Sequence, residues 1–117
     1  MDIINTVILV IINCCLLVSG QILWKLGLKQ IHLNSLKDYL LCVFNLNIFL
    51  GFVIYVLATF LWFFILNKHD LSKIYPLQSM SYIIAMFAGY FFLNEHITQN
   101  SIVGTVVICI GVFIIMK

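Results

Sequence analysis

Four long apolar stretches, separated by short polar connections, account for most of the sequence. They run roughly over residues 3–24, 48–66, 74–93 and 102–116. A helix of about 20 apolar residues crosses a hydrocarbon core of roughly 30 Å. The pattern therefore predicts an all-α membrane protein, with four transmembrane helices in a single domain that covers residues 1–117. The apolar run at the N-terminus is interpreted as a retained span, because only Asp2 and the chain amine precede it where a signal peptide has a positive region.

The third span differs from a span that faces only lipid. Gln78 and Tyr82 place hydrogen-bonding groups in its first half. Its small residues share one helical face and are Ser81, Ala85, Ala88 and Gly89. Such a face lets two helix backbones approach closely, so the third span is predicted to be buried among other helices. The alternative is a span with incidental small residues.

The first span carries polar residues at four-residue spacing. Asn13, Gln21 and Lys25 follow this spacing, with Leu17 between the first two. Residues four apart lie close together on a helix surface, so we expect one polar stripe. Lys25 is near the helix end, where its stem can extend to the headgroups. It is therefore either an interfacial anchor or a residue that faces the substrate.

The second and fourth spans each have a distinctive face. In the second span Tyr55 and Trp62 share a face with smaller residues, which suits either helix packing and interfacial anchoring or an aromatic wall along a substrate path. In the fourth span Gly104 and Gly111 are seven residues apart and indicate a helix–helix contact. Because this span is short, we expect it to pack against protein. Residues 35–41, in the long connection 30–47, are predicted to form a short surface helix.

The composition supports membrane insertion and excludes several functions. Hydrophobic residues make up 64% of the chain and charged residues 9%, against roughly 25% charged residues in a soluble domain. The six basic residues are all lysines and form no basic patch, so no nucleic-acid partner is expected. The cysteines and histidines lack metal-ligand spacing, and no catalytic set of side chains is visible. We expect neither a metal, a cofactor nor an enzymatic activity.

The lysines are balanced between the two membrane faces. One face is predicted to hold Lys25, Lys29 and Lys37, and the other Lys68, Lys73 and Lys117. Orientation in the membrane follows a bias of lysine and arginine towards the cytoplasm. A balanced chain therefore has little reason to prefer one orientation, and insertion in both directions is permitted.

Two segments resemble the EamA-type repeat of the drug/metabolite transporter superfamily. Residues 71–117 hold a Leu-Ser-x-x-Tyr-Pro sequence, an acid after the third span at Glu95 and a glycine-containing last span. Residues 19–25 hold a Gly-Gln-x-x-x-Lys segment, whereas residues 29–50 match weakly. Single repeats of this kind occur in the small multidrug resistance transporters and in the flippase subunits for aminoarabinose-phosphoundecaprenol. The resemblance implies a multi-pass transporter in a bacterial inner membrane.

One departure from the family pattern separates these two branches. The multidrug branch has a carboxylate three residues before the position of Gly20, and that position here is Leu17. Without an intramembrane acid, the chain lacks the group that neutralises a cation and carries a proton. The remaining polar residues and Lys25 suit an anion, phosphate in particular, and Tyr75-Pro76 with Gln78 resembles the flippase branch.

The sequence therefore supports three hypotheses. The first is a flippase, or a subunit of one, for a polyprenyl-phosphate-linked sugar or similar anionic amphiphile. The others are a small-multidrug-resistance-like exporter of small organic compounds and a non-transporting membrane partner. We expect contact with membrane lipid and a homodimer, antiparallel rather than parallel, or a heterodimer with a related four-span chain. The substrate-binding candidates are Asn13, Gln21, Lys25, Tyr55, Trp62, Tyr75, Gln78 and Tyr82. The helix- or dimer-packing candidates are Ser81, Ala85, Gly89, Gly104 and Gly111.

Overall fold

The structure, a computed structural model, describes residues 3–117, and these form helices and short connections without a strand. Met1 and Asp2, on which the interpretation of the N-terminus partly rests, lie outside the described residues. The α-helices are α1 (Ile3–Lys29), α2 (Leu36–Leu41), α3 (Leu46–Lys68), α4 (Leu71–Ile74), α5 (Met80–Leu93) and α6 (Gln99–Met116). Two 3-10 helices cover Cys42–Phe44 and Pro76–Ser79.

The four predicted spans are confirmed as helices that are long and apolar enough to cross a membrane. They correspond to α1, α3, the segment Leu71–Leu93 and α6. All four spans extend past the predicted limits, and at the N-termini of α3 and α6 a side chain satisfies free backbone N–H groups. Asn45 Oδ1 accepts a hydrogen bond from the backbone N–H of Asn47 at 3.0 Å, and Thr98 Oγ1 accepts one from that of Ser101 at 3.1 Å.

The connection between the first two spans contains the predicted surface helix. It is α2, whose N-cap residue Ser35 accepts a hydrogen bond from the backbone N–H of Asp38 at 3.4 Å. All the residues of α2 are exposed or partly exposed. The chain then turns through the first 3-10 helix into α3.

The third span is interrupted, which the apolar pattern of residues 74–93 did not predict. Its helix changes to 3-10 geometry at Pro76 and returns to α geometry at Met80. Proline has no backbone N–H and its ring clashes with the preceding turn. The α-helical ladder therefore breaks at this residue, and the Gln78 N–H bonds to the Tyr75 carbonyl at 3.0 Å.

The main helix pair is α1 with α3, which meet at two glycines. A Cβ atom on Gly51 would lie 2.7 Å from the Gly20 carbonyl oxygen and 2.5 Å from Cδ1 of Trp24. Only glycine leaves room for this backbone approach. Towards the start of α1 and the end of α3, buried side chains form the core. They come from α1, α3, α4 and the second 3-10 helix and are Val10, Cys14, Ile65, Ile74 and Leu77.

Helix α6 is not packed as predicted. None of its residues is buried, and nothing lies within 4 Å of a Cβ placed on Gly104 or Gly111. Its contacts with the core come through partly buried side chains such as Val112 and Met116. Its length alone did not require packing within one chain, because 18 helical residues rise about 27 Å at 1.5 Å each, which is close to the roughly 30 Å of the hydrocarbon core.

The third span is also less buried than predicted. In α5 only Gly89 is buried, because α5 packs on α1 along one side while its other sides face outward. The small residues Ser81 and Ala85 line an open groove rather than a helix–helix contact. Gly89 lies against the side chain of Glu95.

Candidate substrate groove

A groove of about 350 Å³ runs between α1 and the third span. From α1 it is lined by Leu17, Val18 and Gln21, from the proline turn by Tyr75, Pro76, Gln78 and Ser79, and from α5 by Ser81, Tyr82 and Ala85. Both tyrosines are 61% exposed. The groove therefore opens at the outer surface of the molecule, within the membrane-spanning segments.

The proline turn fixes one wall of the groove. Ser79 Oγ donates a hydrogen bond to the Pro76 carbonyl at 2.5 Å, and Cys14 Sγ donates one to the Gln78 carbonyl at 3.6 Å. The first bond satisfies a carbonyl within the broken helix, and the second connects the turn to α1. Backbone groups inside a membrane need such partners, so the turn is held in place by contacts on both sides.

The groove contains no charged side chain among its lining residues. Its polar groups are the amides of Gln21 and Gln78 and the hydroxyls of serine and tyrosine, which donate and accept hydrogen bonds without a net charge. Leu17 lies in the wall. Such a groove can bind hydroxyl or amide groups of a ligand, and it offers no carboxylate to a cation or a proton.

An ion pair lies one helical turn beyond the groove. Lys25 follows Gln21 by four residues on α1, and Gly89 follows Ala85 by four residues on α5. The Glu95 side chain lies over Gly89 and its Oε1 accepts a hydrogen bond from Lys25 Nζ. The pair therefore connects the two helices at this end of the groove, and both side chains are about half exposed.

The position of Glu95 depends on the end of α5. Asn94 adopts a left-handed conformation with φ of 56°, and the Glu95 N–H bonds to the Gly89 carbonyl at 3.1 Å. This C-cap reverses the chain and brings the carboxylate back over the helix. Sequence reasoning placed Glu95 in a connection away from the membrane-spanning polar residues and missed this contact. The signal that could have found it is an asparagine at the end of an apolar helix.

Asn13 has a different environment from Gln21, although the two were predicted to share a stripe. Asn13 is fully buried, and its Nδ2 donates a hydrogen bond to the Ala58 carbonyl of α3 at 2.6 Å. Each four-residue step rotates by about 40° on an α-helix. Two steps therefore turn Gln21 away from α3 and into the groove, and the single-stripe prediction was wrong.

The two aromatic candidates of the second span lie in packing contacts. Tyr55 stacks on Trp24 with ring centroids 5.0 Å apart, and Trp62 meets the edge of Tyr75 at 6.4 Å. Neither Tyr55 nor Trp62 is among the residues that line the groove. Trp62 reaches it only through Tyr75, whereas Tyr55 supports the contact of α1 with α3.

Among the described residues, four helices are long and apolar enough to cross a membrane, and two of these spans line an uncharged groove, which together define a multi-pass membrane protein. The chain belongs to the EamA-like transporter family, whose model matches residues 2–117. Membership indicates a membrane transporter of the drug/metabolite transporter superfamily, and it confirms the resemblance seen in the two segments. Comparisons with curated proteins and with solved structures gave no match.

Proposed function

We propose that the chain moves a polyprenyl-phosphate-linked sugar, or a similar anionic amphiphile, across a bacterial inner membrane, as a flippase or as a subunit of one. The observation that carries this proposal is the uncharged, hydrogen-bonding groove with Lys25 one helical turn beyond it. Such a substrate has a sugar, a phosphate and a polyprenyl chain. The groove suits the sugar, Lys25 suits the phosphate, and the surrounding bilayer suits the polyprenyl chain.

The sugar is assigned to the groove. Its hydroxyls match the amides of Gln21 and Gln78 and the hydroxyl of Tyr82, which can each donate or accept. The polyprenyl chain stays in the bilayer, because the groove is open at its two exposed tyrosines. A carrier with a lateral opening does not need to enclose a long hydrocarbon chain.

The phosphate is assigned to Lys25. In the structure the Glu95 carboxylate pairs with this ammonium group. An ammonium binds phosphate well as a point charge, so the phosphate competes with the carboxylate. Substrate binding then breaks the connection between α1 and the end of α5, and this end of the groove opens.

The test is transport of a headgroup-labelled polyprenyl-phosphate sugar in proteoliposomes. We expect Lys25→Met to reduce transport at least about tenfold, which corresponds to the loss of a charge-assisted hydrogen bond of roughly 1.5–3 kcal/mol. Glu95→Gln removes the competing charge and should keep transport or raise it. Lys29→Met is the matched control, because Lys29 is exposed at the end of the same helix, and it should transport as the wild type does.

Two results would contradict the proposal. Normal transport by Lys25→Met makes Lys25 an interfacial anchor. Loss of transport by Glu95→Gln, with the fold preserved, makes the carboxylate itself necessary.

The second candidate function is export of small organic compounds. The groove favours it in one respect, since 350 Å³ falls within the range of small-molecule pockets, about 300–1,000 Å³. The groove has no acid for cation exchange, so this function predicts uncharged substrates. Uptake of an uncharged dye into the same vesicles, unaffected by Lys25→Met, would favour it.

A further inference from the structure

A second cavity lies at the opposite membrane face from Lys25. It has a volume of about 530 Å³ and lies where α1 begins, α3 ends, α4 begins and α6 ends. Its polar lining is Thr6, Lys68, His69, Asp70, Lys73 and Lys117, and its apolar lining is Ile3, Ile74, Ile115 and Met116. This cavity shares no lining residue with the candidate substrate groove or with the Lys25–Glu95 ion pair.

The cavity has an excess of positive charge. Lys68 and Lys73 contribute two ammonium groups against the single carboxylate of Asp70, and all three residues are exposed. Lys117 adds a further ammonium group to the lining. Among residues 3–117 the ion pair that forms is Lys25–Glu95, at the other face. The lysines of this cavity are thus available to a ligand.

One wall of the cavity is ordered by a hydrogen bond between two segments. Thr6 Oγ1 and His69 Nε2 are 3.0 Å apart, and Thr6 is buried. This bond joins the first turns of α1 to the residue that follows α3. The bond holds His69 against α1, and it therefore also positions the backbone of the charged neighbours Lys68 and Asp70.

Lysines do not line the cavities at both membrane faces, although both faces carry lysines at the ends of spans. At the opposite face a cavity of about 320 Å³ is lined without a lysine, by Ile31, His32, Asp38, Leu41, Cys42 and Asn45. There Lys25 is paired with Glu95. Of these two cavities, the one lined by Lys68 of α3 and Lys73 of α4 contains lysines, and the one at the opposite face does not.

We propose that this cavity binds the phosphate group of an anionic ligand. Ammonium groups are good partners for phosphate, and basic residues at headgroup depth attract anionic lipids. The apolar wall of Ile3, Ile74 and Ile115 gives the same cavity a surface for an acyl chain. The phosphate comes from a membrane lipid or from free phosphate in solution, and the test distinguishes the two.

The experiment measures lipid retention by the purified full chain in detergent, with native mass spectrometry after addition of phosphatidylglycerol or phosphatidylcholine. We expect the wild type to retain phosphatidylglycerol preferentially. The double variant Lys68→Gln/Lys73→Gln should lose this preference, by roughly fivefold for each lysine removed. Lys68→Arg/Lys73→Arg keeps both charges and should retain it.

The matched control is Lys29→Gln/Lys37→Gln, which removes the same charge at the other face and should bind as the wild type does. Displacement of phosphatidylglycerol by millimolar inorganic phosphate identifies free phosphate as the ligand, and resistance to displacement identifies the lipid. Equal retention by wild type and Lys68→Gln/Lys73→Gln would overturn the proposal. An equal loss in the control variant would also overturn it, because binding would then follow total charge. The melting temperature of each variant reports whether it is folded.

Discussion

Gly51 shows how much a single residue determines in this fold. It allows α3 to contact the backbone of α1 at Gly20, and the Trp24 indole covers it. Tyr55 and Phe52 then pack on the same indole, with ring centroids 5.0 and 4.9 Å away. The glycine and the aromatic residues therefore form one contact rather than separate features.

We expect Gly51→Ala to destabilise the protein by about 1–3 kcal/mol, the usual cost of overpacking a close contact. The added Cβ would meet the Gly20 carbonyl oxygen at 2.7 Å, and backbone atoms cannot move aside easily. The measurement is the thermal unfolding midpoint in detergent. Val56→Ala is the control, because Val56 lies in the same helix as Gly51 and its side chain is 51% exposed. Equal midpoints for the two variants would show that α1 and α3 adjust freely.

At this scale the sequence predicted part of the groove. Gln21, Tyr75, Gln78 and Tyr82 were candidates and line it. Asn13 was a candidate for the same reason as Gln21, yet it bonds to Ala58. Polarity alone does not tell which helix a side chain faces, since that depends on how the helices are rotated against each other. Other lining residues, such as Val18 and Ser79, had no distinguishing chemistry.

At the scale of the element, the third span is two helical segments joined by a 3-10 turn. The turn puts Tyr75 and Gln78 on the groove wall, and Pro76 between them prevents a continuous α-helix. The apolar run predicted an uninterrupted span, and the break at Pro76 was not predicted. The direction of the chain after the break was not predictable from the sequence, because it depends on contacts with α1 such as the hydrogen bond from Cys14 to the Gln78 carbonyl.

We expect Pro76→Ala to reduce transport of the labelled lipid-phosphate sugar by about tenfold or more while leaving the unfolding midpoint unchanged or higher. Alanine restores an N–H that can bond to the carbonyl four residues earlier, and a continuous α-helix then no longer carries the roughly 3 kcal/mol cost of an interior proline. The helix then straightens and turns Tyr75 and Gln78 away from the groove. Ser72→Ala, at the exposed residue just before the turn, should leave transport unchanged. Normal transport by Pro76→Ala would show that the groove does not depend on the turn.

For the whole molecule, the number and order of the spans followed from the sequence, whereas their packing did not. Buried side chains of three spans form the core, and nothing lies within 4 Å of a Cβ placed on Gly104 or Gly111 of α6. We propose that this face of α6 contacts a second copy in an antiparallel homodimer, with a heterodimer of related chains as the alternative. An inverted pair of repeats places a substrate site at the repeat interface near the bilayer midplane, and the balanced lysines permit both orientations.

This proposal predicts that both orientations are present in one cell. On a cysteine-free background, Lys117→Cys is labelled with a membrane-impermeant maleimide in intact cells, and we expect about half of the copies to react, by the charge-bias argument. Asn100→Cys is the complementary site, because it lies near the start of α6 and therefore at the other membrane face. It should also react in about half of the copies, as the same argument requires. Full labelling at one site with none at the other means a single orientation and excludes the antiparallel homodimer.

The exposure of α6 also bears on how the protein is made. Its 18 residues are apolar enough to enter the bilayer on their own. Its few contacts with the other spans add little to the stability of their packing. The first three spans can therefore reach their mutual packing during synthesis, before the last helix has left the ribosome. In the proposed dimer, α6 would then find its partner only after synthesis, and the abundance of the protein in the membrane would set how quickly that happens.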